Sequence, residues 1–141
     1  MMHSQATMNR AGPFPFLSKY TGLEAVVADH ELAALGDAYV NFVYSLALSE
    51  KLGKPVGRKL DSSTLASALK RAGLRKILPS RMDRHKQADA AEALVVYAWL
   101  VRAVSLEETV GTIVKAKAPE DGFVRILRKV ARKIEPTHKK V

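Results

Sequence analysis

Apolar residues recur along this chain at the three- and four-residue intervals of helices, broken by glycine, proline and hydroxyl-rich stretches, and nowhere in a strand-helix-strand rhythm. A short helix is expected from Thr21. A long amphipathic helix should follow from about His30 to Lys51, with Gly53 and Pro55 as stop signals. Ser62, Ser63 and Thr64 stand ahead of Leu65, Ala68 and Leu69, which predicts a helix capped near Asp61 or Ser62 and ending at Gly73. After a turn over Leu74–Leu78 and Pro79, a second long helix is expected from about Met82 to Ala103. Ser105 with Glu108 three residues later is a capping box opening a helix to about Lys117, and Pro119 opens the last helix, to about Glu135. Residues 1–16, built around Pro13-Phe14-Pro15-Phe16, read as a tail whose two phenylalanines are expected to pack on the body. Residues 17–141 read as a single all-α domain of six or seven helices with a basic C-terminal helix.

Composition strengthens that class. A hydrophobic share of 48% with only 6% aromatics, and Gly and Pro confined to a few points, suits a helical globule better than a β-sandwich. At 141 residues the chain can bury roughly two-thirds of its unfolded surface, so one real core is expected. The formal charge of +9 and pI near 9.9 point to polyanionic partners, nucleic acid first. With no cysteine, disulfides, thiolate zinc sites and cysteine nucleophiles are excluded. The longest uninterrupted apolar run, Ala93 to Val101, is far short of the ~18–20 residues of a membrane span, and no basic-then-apolar leader opens the sequence. The expectation is a cytoplasmic protein without a membrane partner.

Against this background three acids stand out. Leu35-Gly36-Asp37-Ala38 lies early in the first long helix and Asp89-Ala90-Ala91-Glu92-Ala93-Leu94 early in the second, both on faces that otherwise read as core. Asp89 and Glu92 are neighbours across one turn, with His85 four before Asp89; on the other helix His30 falls within about 20° of Asp37. A buried carboxylate costs several kcal/mol unless a cation or hydrogen bonds compensate it, so Asp37, Asp89 and Glu92 suggest a shared cation, magnesium being the natural candidate with manganese as a substitute. The alternative is that Asp37 caps or pairs with an arginine while Asp89 and Glu92 occupy a solvated first turn whose dipole favours acids. His30 and His85 read as surface residues or outer supports.

The run Leu35-Gly36-Asp37-Ala38-Tyr39-Val40-Asn41-Phe42-Val43-Tyr44 and the Asp89-to-Leu100 segment resemble the ribonuclease III family, whose signature helix carries Leu-Gly-Asp and whose later helix carries Asp-x-x-Glu before an apolar run. The resemblance spans about residues 30–103. The family has glutamates four and seven residues before its aspartate; here those positions are Ala33 and His30, and Glu31 sits about 120° around the helix. In that respect the chain is similar to the mini-ribonuclease III subfamily, which has a small residue at the first of these positions and no double-stranded-RNA-binding domain, and to compact basic archaeal members. The resemblance implies an endonuclease-like all-α domain, usually a homodimer, that hydrolyses phosphodiesters in double-stranded or structured RNA such as ribosomal RNA precursors and leaves a 5′-phosphate and a 3′-hydroxyl. It assigns catalysis and metal binding to Asp37 and Glu92, with Asp89 in outer support, and makes Asp61 the candidate for a further family acid. A catalytically reduced, RNA-binding descendant associated with the ribosome is the competing implication. A histidine-aspartate phosphohydrolase is disfavoured, because no His-Asp pair occurs.

Two basic groups complete the picture. Arg58, Lys59, Lys70, Arg71, Arg75, Lys76, Arg81, Arg84 and Lys86 flank the acids in sequence and are the expected RNA contacts. In the last helix Phe123, Ile126, Leu127, Val130 and Ile134 make the core stripe, and Arg125, Arg128, Lys129, Arg132 and Lys133 cover the rest, as a solvated face or a phosphate contact. Tyr39, Tyr44, Tyr97 and Trp99 read as packing or dimer contacts. The apolar residues around Phe42, Val43, Val96 and Trp99 exceed what one small core needs, so some of them are expected to form a two-fold interface.

Overall fold

The structure is a computed structural model that describes residues 14–134. A 3-10 helix (Pro15–Lys19) leads into α1 (Leu23–Val27), α2 (His30–Leu52) and α3 (Ser62–Arg71). A 3-10 turn at Arg75–Ile77 then precedes α4 (Arg84–Leu100), α5 (Leu106–Lys115) and α6 (Pro119–Ile134). No strand occurs among the described residues. The all-α expectation is met, and the differences lie at the ends of elements.

The caps explain the boundaries. Asp29 opens α2 by accepting from the Glu31 and Leu32 amides at 2.9 and 3.2 Å, and its other oxygen accepts from the Tyr20 hydroxyl at 2.6 Å. That bond, ahead of Lys19, holds the Asp29 carboxyl below the usual range. At the other end Gly53 takes φ 74°, the left-handed conformation glycine adopts without strain, and its amide bonds the Ser49 carbonyl at 2.9 Å. The second long helix ends at Leu100 rather than Ala103, because Arg102 turns left-handed at φ 65° and the Ala103 amide bonds back to Ala98 at 2.8 Å. No glycine or proline marks that stop in the sequence. The tail expectation also shifts. Phe14 and Phe16 stack on each other at 5.8 Å and stay 44% exposed, while Leu17 is the residue that enters the core.

α4 is the axle. It packs against α1, α2, α3 and α6, and from Ala88 to Leu100 nearly every side chain is buried, the signature of a helix surrounded on all sides. Alanines at 88, 90, 91, 93 and 98 let neighbours approach closely. The closest approach is α2 crossing α4 at Gly36: a Cβ there would stand 3.0 Å from the Glu92 Cβ and nearer still to its carbonyl group. α6 is pressed on α5 in the same way at Gly122, where a Cβ would lie 2.9 Å from the Ile113 Cα.

Val43 and Val96 are fully buried within this core, so of the four apolar residues these two are taken up by the core and are not available to an interface. Phe42 and Trp99 remain at the surface, 53% and 38% exposed, with Trp99 stacked on Tyr39 at 4.8 Å. By length and mean hydropathy α2 meets the requirement of a membrane span, but its buried face packs on α4 and α5, as a core helix does.

Two glycine substitutions separate crossing from propensity. Gly36→Ala should destabilise the protein by about 1–3 kcal/mol, because backbone on a facing helix must move to admit one methyl group. Gly111→Ala, inside α5 with open space around it, should stabilise by roughly 0.5–1 kcal/mol. Thermal melting of both variants checks the pair, and equal effects would remove the crossing from the argument.

Candidate active site

Gly36 brings the following residue, Asp37, against α4 where Glu92 points inward. The Asp37 carboxyl acts on Glu92 through hydrogen bonding and charge, and Asp89 lies near enough to act on it through its charge. Together they line an open cavity of about 370 Å³ with His30, Ala33, Ser62 and His85. Glu92 is buried at 8% exposure, Asp37 and Asp89 are half-buried, and both imidazoles are exposed at the rim. The solvated-first-turn alternative for these acids fails, because the first turn of α4 holds no acid and Glu92 sits deep in its middle.

Burial pushes the Glu92 carboxyl up to about 8, with the hydrogen bond and charge of Asp37 and the charge of Asp89 adding to the effect, and Lys59 opposing it. None of the three acids forms an ion pair among the described residues. The donor set is hard oxygen, as magnesium or manganese requires. Among the described residues no three His, Asp or Glu side chains are gathered closely enough to form a complete metal cage.

A feature absent from the sequence reading holds Asp37 in place. Along α2, Asp37, Asn41, Ser45 and Ser49 recur every fourth residue and form a polar ladder on an otherwise apolar helix. Asn41 donates to the Asp37 carboxylate at 3.2 Å, and its own carbonyl accepts from the Leu60 amide at 2.8 Å. The Ser45 hydroxyl accepts from the Arg58 amide at 2.9 Å and donates to the Arg58 carbonyl at 3.0 Å; Ser49 accepts from the Val56 amide at 2.9 Å. The segment between α2 and α3 is thereby tied along the helix, and Lys59 is carried to within reach of Glu92. The four-residue recurrence was visible in the sequence, but its partner, a loop backbone, was not.

The expected RNA contacts divide into two sets. Three approach the acidic cavity: Lys59 acts on Glu92 through its charge, Arg84 reaches the Ser63 carbonyl at 3.4 Å beside the lining Ser62, and Lys86 lines an adjoining hollow with Asp89 and His30, whereas Arg58 is held through its backbone at Ser45, about two turns of α2 past Asp37. Lys70 and Arg71 lie at the far end of α3, about 12 Å along its axis from Ser62, and Arg75 and Lys76 in the 3-10 turn that follows it. Two of these are committed to the protein itself. Arg71 bridges Glu120 at 2.8 Å and Asp121 at 3.0 Å, and Arg75 donates to the Pro79 and Ser80 carbonyls at 2.8 Å each. Lys76 and Arg81 are exposed. Asp61 does not join the acids: it caps α3, accepting the Ser63 hydroxyl at 2.6 Å and the Ser63 amide at 3.3 Å, bonds that hold its carboxyl below the usual range.

The raised Glu92 carboxyl has a direct consequence for stability. Folded Glu92 keeps its proton to about pH 8, whereas the unfolded chain releases it near 4.5, so between these values the folded state binds more protons and stability falls as pH rises. Without added metal, Glu92→Gln should melt at least about 3 °C above the wild type at pH 8, the shift that roughly 1 kcal/mol produces in a domain of this size. That gap should close towards pH 4.5. A gap independent of pH in thermal melts would show that Glu92 is compensated in the fold.

A family model described as Ribonuclease III matches residues 30–139, a longer stretch than the motifs span. No curated protein matches the chain.

Proposed function

The chain belongs to the ribonuclease III family, and on that premise we propose that it is a metal-dependent endoribonuclease acting on double-stranded or structured RNA, of the kind that processes ribosomal RNA precursors in the cytoplasm. The observation that carries the reading is the pair of buried Glu92 and half-buried Asp37, held at a close helix crossing beside Asp89 and lining an open cavity, with Lys59, Arg84 and Lys86 nearby. Asp37 and Glu92 would hold the ion, Mg2+ or Mn2+, with Asp89 in outer support. When bound, such an ion lowers the pKa of an attacking water and offsets charge on phosphate oxygens. The rim cations receive the flanking phosphates of a duplex, whose A-form shape is recognised through its backbone and 2′-hydroxyls rather than its base edges. Asn41 fixes the rotamer of Asp37, so the carboxylate meets its ligand already oriented.

A second reading, a catalytically reduced RNA-binding protein associated with ribosomes, draws on Ala33, which leaves the cavity wall without a carboxylate where the family has one. One experiment separates the two. Purified protein incubated with duplex RNA and magnesium should cut it, EDTA should stop the cutting, and Glu92→Gln or Asp37→Asn should lose at least about a hundredfold in rate while RNA affinity stays within about twofold. Asp89→Asn should cost less. Tight binding with no scission by the wild type would select the second reading, and unchanged cleavage by Glu92→Gln would sink the site assignment.

A homodimer is also proposed, with Leu35, Phe42 and Trp99 as the contact face, since these large apolar side chains are 44%, 53% and 38% exposed around one stretch of α2 and α4. Light scattering should give twice the 15.5 kDa chain mass for the wild type and a monomer for Phe42→Asp. A monomeric wild type at tens of micromolar would overturn it.

A further inference from the structure

We propose that a groove between α5 and α6 is a second RNA-backbone site, separate from the acidic cavity. It has a volume of about 420 Å³ and is lined by five cations, Lys115, Arg125, Arg128, Lys129 and Arg132, against one acid, Glu108. The sequence left the last helix open between a solvated face and a phosphate contact, and showed no partner for it. Folding supplies the second wall, because the close contact at Gly122 draws α6 onto α5 and sets Lys115 across from the arginines.

The charges are poorly compensated. Lys129 pairs with Glu108, Arg128 donates to the Arg71 carbonyl at 3.2 Å, and neighbouring Lys133 donates to the Ala103 carbonyl at 2.8 Å. Lys115, Arg125 and Arg132 form no ion pair among the described residues. The acids of α6 cannot help, since Glu120 and Asp121 sit in its first turn and are taken by Arg71, and residues 122–134 contain no acid. Arg125, Lys129 and Arg132 fall at i, i+4 and i+7, a stripe roughly 10 Å long on one face. Along the groove floor lie Val104, Thr112 and Ile126, which offer contact but no opposing charge.

A row of cations in a concave wall, of which only Lys129 has an acid partner, selects a ligand with regularly repeated negative charge. Arginine's planar fork suits phosphate oxygens, and the groove presents no aromatic platform for base stacking, which favours the backbone of a duplex over single-stranded bases. The groove lies beyond the C-terminal end of α4, at Val104, whereas the acids lie in that helix's N-terminal half. A duplex engaging both would run along the length of the central helix. The groove thereby adds affinity and register without touching the acids, and the inference does not rest on the cleavage chemistry.

The test is equilibrium binding of a fluorescent duplex RNA in EDTA, where no cutting occurs, across a salt series. Reversal of Lys115, Arg125 and Arg132 to Glu should weaken binding at least tenfold and reduce the log–log salt slope by about 2 to 3, at roughly 0.7–0.9 per lost phosphate contact. The milder Arg125→Gln/Arg132→Gln variant, checked for unchanged melting temperature, should lower the slope by about 1 to 2. An unchanged slope in the folded Gln variant overturns the proposal. So does displacement of the duplex by polyglutamate as readily as by unlabelled duplex of equal charge, which would mark an acidic-protein surface.

Discussion

The close crossing of α2 over α4 at Gly36 is the constraint on which the site depends. Two helices can approach this nearly only where one offers no side chain, and the residue facing the gap on the other helix is Glu92. The crossing buries that carboxylate, and the next residue on α2, Asp37, is brought close enough to raise its proton affinity. A pair of acids in so little water is unfavourable for the fold alone. The protein retains it at the meeting point of its central helix and its longest helix, where the backbone is least able to yield.

Stability elsewhere absorbs that cost. α4 buries an almost unbroken series of alanine, leucine and valine side chains, and its four helical neighbours close around it. The polar ladder from Asp37 to Ser49 gives the α2–α3 segment hydrogen bonds that a loop of this length would otherwise take from water. The same bonds fix where Lys59 stands, so packing, loop order and the electrostatics of the acids are one arrangement. Asn41 is its hinge point, bonded to the acid on one side and the loop on the other.

Charge is partitioned along the molecule. Acids cluster at the N-terminal half of α4 within a rim of cations, and a second basic surface forms past its C-terminal end. Between them, Arg71 is neutralised by Glu120 and Asp121, and so serves to pin α3 to α6. A net charge of +9 thus understates the organisation, since some cations are structural and others face solvent in groups.

Much was legible in the sequence because it is local. Helical periodicity, the caps at Asp61 and Ser105, the stop at Gly53 and the Leu-Gly-Asp and Asp-x-x-Glu motifs depend on residues within a turn or two of one another, and the structure keeps them. What depended on distant residues was not. The end of α4 at Leu100 follows from a left-handed Arg102 with no glycine to announce it. Val43 and Val96 looked surplus to a small core and proved to be its centre, because burial is set by how many neighbours surround a helix, a quantity its own pattern does not contain. Asp61 and Arg71 carried the right charge for the site, but nearer partners claimed them. Residue types and local rhythm, then, determined the class and the candidate acids; only the packing of α1, α2, α3 and α6 around α4, and of α5 against α2 and α6, decided which charges converge, which are neutralised and which remain free, because electrostatic and burial energies depend on distances the linear chain does not encode.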